Sequence, residues 1–150
     1  MRKTIFLFLL ALGLVVVSGG PSAAFTENCN RGGLKATNGS DVLYGTAGED
    51  VICGMAGKDR IYAKGGDDKL KGDRGVDRIV GGAGDDKIKG GMGRDTLLGR
   101  AGHDILRGGS FRKVNDGKRD VLDCGSGVDT VYFTPGVDVV RNCEILNPPS

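Results

Sequence analysis

Between Leu43 and Leu106 an aliphatic residue returns at every ninth position: Leu43, Ile52, Ile61, Leu70, Ile79, Ile88, Leu97 and Leu106. Two residues before each stands an aspartate (Asp41, Asp50, Asp59, Asp68, Asp77, Asp86, Asp95 and Asp104), and two residues before each aspartate stands a glycine. Nine is the wrong period for a helix face, and the glycines would cost about 1 kcal/mol each in a helix interior. In tight turns the same glycines supply the positive φ that other residues resist. Each unit therefore reads as a Gly-rich turn followed by a very short strand, its aliphatic side chain inward and the two flanking residues outward.

One apolar residue per unit cannot make a core alone, so the units must stack, two to a coil, into a flattened solenoid. The expected fold is all-β, a parallel β-roll spanning residues 39–109. The cleanest units run Gly81-Gly82-Ala83-Gly84-Asp85-Asp86-Lys87-Ile88-Lys89 and Gly90-Gly91-Met92-Gly93-Arg94-Asp95-Thr96-Leu97-Leu98.

These units resemble G-G-x-G-x-D-x-U-x, the nonapeptide of RTX (repeats-in-toxin) calcium-binding proteins, over nearly all of Gly39 to Gly109, with weaker echoes to Asp138. The resemblance implies a right-handed roll with several Ca²⁺ ions between successive turns of one edge. Asp41, Asp50, Asp59, Asp68, Asp77, Asp86, Asp95 and Asp104 would supply carboxylates, and the turn backbones carbonyls.

The chemistry is consistent with that implication. Ca²⁺ takes six to eight oxygen ligands and tolerates irregular geometry. Carboxylates stacked at the strand spacing, about 4.8 Å, repel one another unless a cation lies between them. A turn-forming preference alone would allow Asn or Ser at some of the eight positions, and none has either. The second turn position varies (Thr46, Met55, Lys64, Asp73, Gly82, Gly91, Arg100, Gly109), so the turns ending at Asp86 and Asp95 match best. Asp67 and Asp73 are either extra ligands or ordinary solvated residues.

The chain starts like a secretory leader: Arg2 and Lys3, an apolar run from Ile5 to Val17, and Ser22-Ala23-Ala24 as a cleavage context. We expect residues 1–24 to be a signal peptide, the protein to be secreted, and the mature chain to have no membrane span. Without the leader, 19 of the 21 basic residues remain against 19 acidic ones. Zero net charge points to no nucleic-acid partner. Cys29, Cys53, Cys124 and Cys143 in an exported chain read as two disulfides with three possible pairings. Pairing Cys29 with Cys53 and Cys124 with Cys143 would staple each end; metal ligation is the weaker reading, because no C-x-x-C occurs.

Around the roll we expect a cap at residues 25–38, a basic insertion loop at 110–119, degenerate repeats and a second cap at 120–146, and a disordered tail at 147–150. Asp104 to Asp120 is sixteen residues, which breaks the period; Asp129 and Asp138 then resume it without clear calcium features. On one outer face Val51, Cys53, Lys69, Lys71, Lys87, Lys89, Ile105 and Arg107 should stack. This lysine ladder fits an anionic polysaccharide or cell-surface polymer, or serves as a solvated face that blocks sheet-to-sheet association. On the other face Tyr44, Tyr62, Val80 and Leu98 form an apolar ladder that either packs across strands or meets a partner. The loop reads as a recognition element or a tolerated insertion. With one histidine, His103, no tryptophan and no marked nucleophile, an enzyme is not expected. The leading reading is a secreted, monomeric calcium-binding roll that folds on its ions. The alternative is an adhesin-like module in which calcium gives rigidity only.

Overall fold

The structure is a computed structural model that describes residues 14–16, 34–109 and 117–147, with side chains described from Ala36 onward. The basic residues of the expected leader, its cleavage point after Ala24, Cys29, most of the 110–119 loop and residues 148–150 lie outside the described residues.

Strands alternate with turns along the whole described chain. They are β1 (Leu14–Val16), β2 (Leu34–Lys35), β3 (Val42–Tyr44), β4 (Val51–Cys53), β5 (Ala56–Gly57), β6 (Arg60–Gly65), β7 (Lys69–Gly75) and β8 (Arg78–Ala83). There follow β9 (Lys87–Met92), β10 (Thr96–Ala101), β11 (Ile105–Arg107), β12 (Val121–Ser126), β13 (Thr130–Tyr132), β14 (Val139–Arg141) and β15 (Ile145–Asn147). Successive units go to opposite walls. Sheet A runs β1-β3-β6-β8-β10-β12-β14; sheet B runs β15-β13-β11-β9-β7-β4-β2, with β5 on β7. Every pairing is parallel, as a chain winding always the same way requires. This is a β-roll of about six turns.

The register turns the nine-residue period into two apolar columns. In sheet A, Leu43, Ile61, Ile79, Leu97 and Leu122 lie directly over one another. In sheet B, Ile52, Leu70, Ile88, Leu106 and Val131 do the same. All ten are at most 2 % exposed. The columns face each other, and the core between them is one side chain deep from each wall.

Mid-roll strands are longer than the expected three residues: β6, β8, β9 and β10 have six and β7 has seven. The opening residues of each turn stay paired with the coil beside them, as in Lys64↔Gly82 and Gly65↔Ala83. Glycine makes this close stacking possible. A Cβ on Gly75 (φ 144°) or Gly93 (φ 126°) would fall onto the carbonyl of Gly57 or Gly75 in the neighbouring coil.

One coil takes 18 residues. Across the stretch between β11 and β12 the same contact spans 25, seven residues more than 18, and the stacking of β12 on β10 continues. Several boundaries differ from expectation. β2 falls within the expected cap, and Asn147, expected in the tail, ends β15 in register with Tyr132. β1 lies within the expected leader and pairs its backbone with β3. Cys53, assigned to the outer face, is fully buried and disulfide-bonded. At the far end Cys124 is bonded to Cys143, with Cα atoms 5.2 Å apart, tying the start of one coil to the last one. No helix among the described residues is long and apolar enough to cross a membrane.

Candidate metal sites

Because each aspartate is the last turn residue before a strand, the alternation of units sends the eight candidate residues to two edges. Turns entering sheet A carry Asp41, Asp59, Asp77 and Asp95, and turns entering sheet B carry Asp50, Asp68, Asp86 and Asp104. In both columns the backbone N–H of one aspartate donates to Oδ1 of the aspartate in the next coil. Asp41 reaches Asp59 at 2.8 Å, Asp59 reaches Asp77 at 2.9 Å and Asp77 reaches Asp95 at 2.9 Å. On the other edge Asp50 reaches Asp68 at 2.7 Å, Asp68 reaches Asp86 at 2.9 Å and Asp86 reaches Asp104 at 2.9 Å.

The columns extend further than the sequence suggested. Asp95 donates to Asp120, Asp120 to Asp138, and Asp104 to Asp129. The last rung is a glutamate, since Asp129 N–H donates to Glu144 Oε2 at 2.9 Å. Glu144 precedes Ile145-Leu146 as each aspartate precedes its strand, which is the signal that could have found it.

From Asp59 and Asp68 onward one oxygen of each aspartate carboxylate is thus committed to the neighbouring coil, and the other oxygen, Oδ2, separates the sites into two kinds. Oδ2 of Asp41 accepts the N–H and the hydroxyl of Thr37, each at 2.8 Å, and Oδ2 of Asp50 accepts both groups of Thr46. Thr134 N–H closes the turn at Asp138 in the same way. Oδ2 of Asp59, Asp68, Asp77, Asp86, Asp104 and Asp129 is buried and has no hydrogen-bond partner. The difference lies four residues upstream. In these open turns that position has positive φ (Met55 72°, Lys64 82°, Asp73 71°, Gly82 133°, Arg100 95°, Gly125 111°), a conformation that β-branched threonine resists. Of the eight candidates, Asp41 and Asp50 are therefore internally satisfied, whereas Asp129, not among them, belongs to the open set.

Leaving a buried polar atom unsatisfied costs about 1–3 kcal/mol, and more if it is charged. Six such atoms compare with the entire net stability of a small domain, about 5–15 kcal/mol. Either a proton or a cation has to relieve them. Burial, partly offset by the backbone N–H bond and reinforced by neighbouring carboxylates, pushes Asp68 and Asp86 up to about 7 and Asp59 and Asp104 up to about 6. Asp77 is raised mainly by burial too.

The surroundings fit a hard cation. A Cβ on Gly54 would lie 2.7 Å from Asp59 Oδ2 and 2.9 Å from the Gly72 carbonyl oxygen, so glycine keeps open a space faced by two oxygens from successive coils. Among the described residues no three His, Cys, Asp or Glu side chains converge as a metal cluster. Ligands at these turns would therefore come largely from main-chain carbonyls, a donor set that suits Ca²⁺.

The remaining candidates fall outside these sites. His103 accepts the Val128 N–H at Nδ1 (3.0 Å), a structural bond between coils. The lysine ladder is in register, Lys69↔Lys87 and Lys71↔Lys89 with Arg107 next, and these residues with Val51 and Ile105 line a groove of about 290 Å³. On sheet A, Tyr44 and Tyr62 stack with ring centroids 5.4 Å apart, the cross-strand packing expected for that ladder.

Residues 35–70 and 71–106 match the family described as RTX calcium-binding nonapeptide repeat (4 copies). No curated protein and no solved structure matches the chain.

The raised carboxyls fix the sign of a pH effect. Unfolded aspartate titrates near 3.8, so between about pH 4 and pH 7 the folded chain binds protons that the unfolded chain does not. Stability conferred by protonation is present in acid and lost as pH rises through the folded values. The metal-free protein should thus show more ordered β signal and a higher melting temperature at pH 5 than at pH 8. Far-UV circular dichroism melts check this, and equal or lower stability at pH 5 would contradict it.

Proposed function

We propose, from the premise that residues 35–106 are RTX calcium-binding nonapeptide repeats, that this chain is an exported β-roll ordered by several Ca²⁺ ions held between its stacked turns. The observation that carries the proposal is that Oδ2 of Asp59, Asp68, Asp77, Asp86, Asp104 and Asp129 is buried without a hydrogen-bond partner. A divalent ion beside each would give the unpartnered oxygen an attractive neighbour and would add attraction between successive coils. The residues assigned to the ions are Asp59, Asp68, Asp77, Asp86, Asp104 and Asp129, with turn carbonyls completing each shell.

A core one aliphatic deep and a backbone rich in glycine leave little margin to offset chain entropy. A binding site assembled only in the folded state makes binding free energy and folding free energy the same quantity. The leader-like start of the sequence and the Cys124–Cys143 disulfide suit an oxidising extracellular setting, where calcium is plentiful. There the roll would rigidify after export.

The register of Lys69, Lys71, Lys87, Lys89 and Arg107 favours a second reading, in which this face holds a linear anionic polysaccharide. Charges repeating at the strand spacing, about 4.8 Å, would meet one acidic group per sugar along the roll.

Two outcomes are expected. Titrating the purified protein with CaCl₂ should raise the β signal in circular dichroism together with calorimetric heat, and Thr46→Gly, by opening the turn at Asp50, should raise the stoichiometry. An unchanged spectrum in excess chelator would sink the coupling. For the second reading, changing Lys69, Lys71, Lys87 and Lys89 to Gln should abolish retention on an immobilised polyuronate in calcium, whereas retained binding would remove it.

A further inference from the structure

The two edges present equivalent inner carboxylates but opposite outer charges. The residue just before each motif aspartate points outward. On the edge entering sheet B these residues are Glu49, Asp67, Asp85, His103 and Val128; on the edge entering sheet A they are Ser40, Lys58, Val76, Arg94 and Arg119. All are exposed. The nine-residue period hides the difference, because consecutive units go to opposite edges and only every second unit belongs to the same column.

The acidic column is fixed in place. Asp85 N–H donates to Asp67 Oδ1 at 2.9 Å, and His103 N–H donates to Asp85 Oδ1 at 2.8 Å, an outer ladder parallel to the inner one. Glu49, Asp67, Asp85 and His103 line one cavity of about 440 Å³ together with Asp68 and Asp86, whose Oδ2 atoms are buried and lack hydrogen-bond partners. Both inner aspartates are 1 % exposed. Lys69 and Lys87 border this cavity, and Lys64 and Arg100 sit at second turn positions of the same edge. The cavity on the other edge, about 380 Å³, has Asp73 as its one carboxylate beside Arg74 and Lys89.

We infer that the sheet B edge is a high-affinity calcium row, loaded before the sheet A edge, and that Glu49, Asp67 and Asp85 set this order through the field they impose on Asp68 and Asp86. The inference rests on the calcium reading above and adds that the sites are of two classes. A divalent ion feels each neighbouring charge twice over. Lys64 and Arg100 set against the three carboxylates of one edge leave one net negative charge there, and Asp73 set against the three cations of the other leaves two net positive charges. A difference of three charges remains, and the classes should differ on the order of tenfold at low salt. The roll would then order one edge at a lower calcium concentration and complete the other at a higher one.

Calorimetric titration of the full chain with CaCl₂, at low salt and at about 0.5 M KCl, tests this. The expected result is two classes of sites that draw together at high salt. Asp67→Asn with Asp85→Asn keeps the outer hydrogen-bond acceptors and should weaken the tight class to match the other. Lys58→Gln with Arg94→Gln should leave the tight class alone and strengthen the weak one. A single class in the wild-type chain, or a gap that neither pair alters, would overturn the inference while leaving calcium binding intact. Absence of any calcium heat would defeat the calcium reading itself.

Discussion

The fold depends on a carboxylate that is asked to do two things at once. From Asp59 to Asp104 each motif aspartate is buried at a turn, and its Oδ1 accepts the main-chain N–H of the aspartate one coil away, as Asp68 does for Asp50 and Asp86 for Asp68. That bond sets the spacing of the coils at the edges, as the aliphatic columns set it inside. It also forces Oδ2 into a place where water is excluded and most turns offer no donor. A neutral side chain of similar shape would make the first bond without the second difficulty, so aspartate at every unit is best explained by what Oδ2 attracts.

Threonine shows the contrast within the same molecule. At Asp41, Asp50 and Asp138 a Thr four residues earlier folds its own N–H onto Oδ2, and the carboxylate is satisfied by protein alone. At the open turns, positive φ carries that residue away from the carboxylate. Met55, Lys64, Asp73 and Arg100 adopt positive φ despite their side chains, a local strain that persists where the surrounding coils over-determine the backbone. One residue type at one turn position thus separates a self-contained end turn from a turn that leaves Oδ2 open.

Much of this was legible in the sequence. The period of Leu43 through Leu106 gave the columns and the alternation of walls, and the same spacing located the aspartates. The C-terminal coils were harder to read, because the spacing from β11 to β12 departs from the period while the stacking continues, so that Asp129 looked like a degenerate echo. Glu144 was missed because a longer acid, preceded by Cys143 instead of the usual turn sequence, takes the place of the last aspartate. The two-edge charge difference was invisible to a nine-residue comparison, since it resides in every second unit. Strand lengths were underestimated because turn residues such as Lys64 and Gly65 pair with the adjacent coil, a consequence of stacking that no single unit reveals.

The central claim is that cations occupy the space beside the buried Oδ2 atoms. Anomalous diffraction from crystals grown in calcium measures this directly. The account predicts anomalous peaks about 2.3–2.6 Å from Oδ2 of Asp59, Asp68, Asp77, Asp86, Asp104 and Asp129, and none at Oδ2 of Asp41, Asp50 or Asp138. An ordered roll with the six open turns devoid of such peaks would contradict it.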